Sequence, residues 1–108
     1  MTYLRSECND SRRSALSEVF AFKGIYYAVR DCPGLSEGKL HDNGSSCAIG
    51  AFWDAQPNAT LSNDLIDEVA AVNDSVPYMT KRQRRAHVLR WLRWKLDRLG
   101  VQGIRGPR

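Results

Sequence analysis

The chain has 108 residues, of which 43% are hydrophobic and 26% charged, the balance of one ordinary globular domain long enough to bury its own core. No run approaches the roughly 18 apolar residues of a membrane span. The opening stretch, MTYLRSECNDSRRS, lacks the apolar segment of a secretory signal. Three cysteines without an export signal argue against a disulfide framework, so reduced thiols in a cytoplasmic compartment are expected. The net charge of +4 is unevenly divided: residues 1–80 carry six Lys/Arg against eleven Asp/Glu, net −5, and residues 81–108 carry ten against one, net +9.

The first predicted helix runs from about Ser11 to Phe22, with Leu16, Val19, Phe20 and Lys23 at helical spacing and Asn9, Asp10 or Ser11 as its cap. Gly24 weakens its continuation. The next residues, Ile25-Tyr26-Tyr27-Ala28-Val29, are β-prone and fit either a short strand or hairpin around 25–30 or an extension of the helix. Residues 31–46, DCPGLSEGKLHDNGSS, read as a long loop with Pro33-Gly34 and Asn43-Gly44 as turn signals.

A short second helix is predicted over Cys47–Ala55, with Ser46 as cap and Pro57 barring extension. Its Gly50 suits close packing against a neighbour. The third is predicted over Leu61–Asn73, burying Leu61, Leu65, Val69 and Val72 and placing Asp64 near the positive end of its dipole. Asn73 and Asp74 are expected to shape the following turn through bonds to backbone amides. The last helix, Lys81–Leu99, has the clearest signature. Thr80 and Gln83 match a capping box, Gly100 ends it, and Val88, Leu89, Leu92, Leu96 and Leu99 form one stripe. The expectation is a mainly α, compact bundle of about four helices in one domain, residues 1–99, followed by a flexible tail, residues 100–108.

Three stretches carry a family resemblance: Cys47-Ala48-Ile49-Gly50-Ala51, then Asn73-Asp74, then Thr80 leading to Val88-Leu89. The pattern resembles small uncharacterised bacterial and phage-borne proteins with a "CALGAL"-like helix start and a downstream "ND…T…VL" segment. The similarity covers roughly residues 45–96. It implies a compact helical fold and no catalytic residues. The chain departs from that pattern in its basic, Trp-bearing last helix and its longer N-terminal half.

Cys47 sits at a helix start, where the dipole and free amides lower a thiol pKa, and His41 is a candidate base for it. Ala, Ile, Gly and Ala follow it, the setting of a buried, inert cysteine. With Gly50, Asn73, Asp74 and Thr80, Cys47 is therefore read as structural. Cys8, Cys32, His41 and Cys47 lack the C-x₂₋₄-C knuckle of structural zinc sites, and no phosphate loop or hydrolase motif occurs, so neither metal nor cofactor is expected.

The candidate surface is the last helix. Its stripe leaves Trp91, Trp94, His87 and Arg98 together on one flank, about 100–160° from Leu92. Lys81, Arg82, Arg84, Arg85, Arg90, Arg93, Lys95 and Arg98, with Trp91 and Trp94, make a surface suited to phosphates and base stacking. The connection to the third helix holds Pro77 and is too long for a helix-turn-helix, so non-specific contact is expected. The alternative is an adaptor or inhibitor, mobile-element derived as the resemblance suggests, that binds an acidic protein through the same residues. A Cys47-dependent enzyme is the third reading.

Overall fold

The computed structural model describes residues 17–37, 41–42 and 45–101. Four helices make up its frame: α1 (Glu18–Asp31), α2 (Ala48–Ala55), α3 (Asn63–Asn73) and α4 (Lys81–Arg98). A minimal antiparallel pair, β1 (His41–Asp42) and β2 (Ser45–Ser46), precedes α2, with His41 opposite Ser46 and Asp42 opposite Ser45. The described chain is thus a mainly α bundle. Residues 11–16 of the first predicted helix, the Asn43-Gly44 turn, Cys8 and residues 102–108 lie outside the described residues.

α1 decides an open alternative and corrects the expected buried face. It continues through Gly24 to Asp31, so residues 25–30 are helix and the two-strand pair lies further on, at 41–46. Counted from Phe22, the apolar residues Phe22, Ile25, Tyr26 and Val29 follow i, i+3, i+4, i+7, and all four are fully buried. That continuous stripe outweighs the local β preference, which itself depends on packing. The buried face is therefore not the Val19–Phe20–Lys23 side; Phe20 is 65% exposed. Gly24 is a point of close approach to α2. A Cβ there would stand 2.7 Å from Phe52 Cε1 and 3.1 Å from Gln56 Nε2. The helix accepts an interior glycine because the neighbour occupies the space.

Each helix start has its own cap. The Ser17 hydroxyl accepts from the Phe20 amide, Ser62 Oγ from Leu65, and Thr80 Oγ1 from Gln83, whose side chain accepts in return from the Thr80 amide. In α2 the cap is Cys47 itself, one residue later than expected: its Sγ accepts from the Gly50 amide at 3.4 Å, while Ser46 belongs to β2. At the C-terminal end of α3 the capping position falls on Asp74, just after Asn73. Gly100, at φ 83, follows the C-cap of α4 in the left-handed conformation that suits glycine.

α1 packs on α2 and α4, and α3 closes the bundle against the same two helices. α1 and α4 run antiparallel: Arg85 near the start of α4 meets the end of α1, and Trp91 and Lys95 near its end meet Phe22. Phe22, Ile25, Tyr26, Phe52, Val69, Val88, Leu92 and Leu96 form the centre of the core. Burial of each large side chain here contributes about 1.5–3 kcal/mol. The segment after α1, expected as an open loop, is pinned to α4. Leu35 is fully buried, and its amide donates to the Lys81 carbonyl at 3.0 Å.

Candidate nucleic-acid interface on the last helix

The ten expected surface residues of α4 fall into two groups. Arg84, Arg85, Lys95 and Trp91 are engaged within the fold. Lys81, Arg82, Arg90, Arg93, Trp94 and Arg98 are exposed.

Arg84 is 2% exposed and cannot contact a partner, which corrects its expected place on the surface. Its guanidinium donates to the Asn73 carbonyl and lies 3.6 Å from Glu37. Asn73 is the hub of this buried polar patch. Its Oδ1 accepts from the Ala48 amide at 3.1 Å, and its Nδ2 donates to the Ser36 carbonyl at 2.9 Å and to Asp74 Oδ1 at 2.8 Å. One side chain thereby ties the end of α3 to the start of α2 and to the 32–37 segment.

Arg85 is half-buried, and its expected surface role is corrected as well. It lies seven residues before Leu92, on the same helical face as the core stripe. Its Nε donates to the Val29 carbonyl at 3.1 Å and its Nη2 to the Arg30 carbonyl. Both acceptors are in the last turn of α1, where carbonyls have no partner within the helix. Lys95 is drawn onto α3 by an ion pair with Glu68 at 2.9 Å, and its Nζ also sits over the Phe22 and Trp91 rings. Trp91 is half-buried, edge-on to Phe22 with centroids 5.8 Å apart.

The outer residues form an arc. Relative to Leu92, Arg82 and Arg93 lie near 80–100°, Arg90 near 160°, Trp94 near 200° and Arg98 near 240°. Among the described residues, Arg82, Arg90 and Arg93 form no ion pair, and the only acid on the helix is Asp97. Trp94 is 52% exposed, with the Arg98 guanidinium 5.1 Å from its ring centroid. The arc runs about 24 Å along the helix, at 1.5 Å per residue. A cation-rich, acid-poor strip with an exposed indole can take up phosphates and one stacked ring.

A neighbouring feature escaped sequence reasoning. Val76, Pro77, Tyr78 and Met79, in the α3–α4 connection, line an open groove with Gln83, Ala86 and Arg90. Tyr78 is 98% exposed and holds φ 65. Nothing in the sequence marks it, because left-handed backbone is expected of Gly or Asn rather than of an aromatic residue.

The other candidates are tied into the fold. Cys47 is half-buried and serves as a cap. Its expected base, His41, pairs with Ser46 in the two-strand ladder, and its side chain lies outside the described part of the structure. Cys32 donates to the Val29 carbonyl at 3.1 Å, and burial pushes its thiol pKa up, away from reactivity. The His87 ring lies 3.0 Å from Ser75 Oγ. Among the described residues no group of three or more His, Cys, Asp or Glu converges on a metal position. No described helix is long and apolar enough to cross a membrane.

Comparison with protein-family models, curated proteins and solved structures finds no match to this chain.

Proposed function

We propose that this protein is a small binding module that contacts nucleic acid without sequence specificity, through the outer face of α4. The observation that carries this reading is the arc itself. Arg90 and Arg98, four residues to either side, flank the half-exposed Trp94, Arg82 and Arg93 continue the arc beyond them, and among the described residues none of these four forms an ion pair. Arginine at such positions suits phosphate oxygens, and the indole offers a face to a base. No polar cluster reads as a base-edge code, so affinity rests on charge.

The test is a titration with short DNA and RNA, followed by tryptophan fluorescence. Trp94 is the exposed reporter beside the arginines. Four phosphate contacts predict a loss of about fiftyfold or more in affinity between about 50 and 200 mM salt. Absence of saturable binding at the lower salt would remove the reading.

An acidic protein partner is the second reading. It is favoured by one observation: Phe20 and Trp94 are both large, apolar and more than half exposed. Such a partner would depend on Trp94 more than on salt.

A further inference from the structure

Tyr78 is hard to account for within the chain. A left-handed φ on a residue with a Cβ costs about 1–2 kcal/mol. Burial usually offsets such a cost, yet this ring is 98% exposed. It stands at the edge of the groove formed with Gln83, Ala86 and Arg90. Gln83, Arg90, Trp94 and Arg98 succeed one another at spacings of seven, four and four residues, so they share one solvent-facing ridge of α4. Two exposed aromatic rings, Tyr78 and Trp94, therefore lie towards opposite ends of a ridge with Arg90 between them.

Resting on the nucleic-acid reading above, we infer that Tyr78 is a second stacking platform and that the preferred ligand is an unpaired strand rather than a duplex. Bases in a duplex are stacked on one another and present no free face. Bases in a single strand do, and sequence-tolerant strand binding combines a cationic track with spaced aromatic platforms. Arg90 takes the backbone between the two rings. Val76 and Met79, which line the same groove, supply apolar contact beside a base on Tyr78. Charge complementarity selects the occupant, since among the described residues α4 carries Arg90 and Arg98 along this ridge against a single carboxylate of its own, Asp97, seven residues beyond Arg90.

The test uses a fluorescein-labelled DNA strand of mixed sequence and the matching duplex, titrated by anisotropy at about 50 mM salt. Tyr78→Gly keeps the left-handed backbone available and removes the ring, so the fold tolerates it. Tyr78→Phe retains the ring. The expected result is tighter binding of the strand than of the duplex, a loss of about tenfold on the strand in Tyr78→Gly, duplex affinity within about twofold, and wild-type behaviour in Tyr78→Phe. Strand binding that Tyr78→Gly leaves unchanged, or an equal loss on both ligands, overturns the platform while the broader reading stands. Binding of neither ligand removes both.

Discussion

Arg85 Nε donates to the Val29 carbonyl at 3.1 Å, and the two residues are 56 positions apart. A side chain of α4 thus reinforces the C-terminus of α1, where the Val29 carbonyl also accepts from the Cys32 amide and thiol, and it makes a second bond to the Arg30 carbonyl. Arg85→Ala removes two charge-assisted bonds and leaves the α1 carbonyls without these partners. It is expected to lower stability by about 2–3 kcal/mol. Arg85→Lys, a point charge without the planar fork, recovers only part of this. Urea denaturation followed by fluorescence measures both, and an unchanged midpoint in Arg85→Ala would show that the bonds are absent in solution.

Asn73 makes the more demanding connection. Asn73→Ala strands the Ala48 amide and the Ser36 carbonyl in the interior and opens a small cavity. A loss of about 3 kcal/mol is expected. Neighbouring Ser36 predicts the opposite sign. Its Oγ is buried with no hydrogen-bond partner among the described residues, so Ser36→Ala is expected to leave stability unchanged or raise it by about 1 kcal/mol. Denaturant midpoints that moved in the same direction for both variants would contradict this arrangement.

Gly24 separates helix propensity from packing. At an exposed helical site Gly→Ala stabilises by about 1 kcal/mol. Here the new methyl meets the buried Phe52 ring at 2.7 Å, and overpacking of this kind costs about 1–3 kcal/mol. Gly24→Ala is therefore expected to be net destabilising. A raised melting temperature would show that α1 and α2 stand further apart.

Stability is expected to fall at alkaline pH. Burial raises the Cys32 thiol, and it raises the Tyr26 phenol against the opposing charges of Arg93 and Arg30. For an acid whose folded-state pKa is raised, the unfolded chain ionises first. The contribution is intact below the unfolded value, about 8.5 for a thiol, and is lost as pH rises through the folded one. Denaturation at pH 7 and pH 10 is expected to show a smaller alkaline loss in Cys32→Ala than in the parent. Folded-state alkylation of Cys32 is expected to be slow at neutral pH, and rapid labelling would contradict its burial.

Arg90→Ala and Arg84→Ala are expected to diverge. On the proposed function, removing exposed Arg90 is expected to reduce nucleic-acid affinity and to lower the salt slope by about one contact, with the melting temperature unchanged. Removing buried Arg84 uncaps Asn73 and lowers the melting temperature itself. Affinity and thermal melts measured on the same preparations check the pair. Equal effects on melting would place the two side chains in similar surroundings.

Much of this protein was legible locally. Thr80 and Gln83 announce the start of α4, because a capping box needs only residues three apart. The Val88–Leu89–Leu92–Leu96 stripe announces its buried face, because period and burial are read along one helix. The position of Arg85 on that stripe was legible too, seven residues from Leu92, though its cationic neighbours suggested a surface. Other features depended on distant chain. Gly24 lies inside a helix because Phe52 occupies the space beside it. Arg84 is buried because Asn73 and Glu37 come to meet it. Which arginines of a basic run remain for a partner is set by the carbonyls and carboxylates that other helices bring, and Tyr78 stands out only once its backbone is seen. Hydrogen-bond and packing partners 11 to 56 residues away leave no periodic trace, so tertiary structure alone decided them.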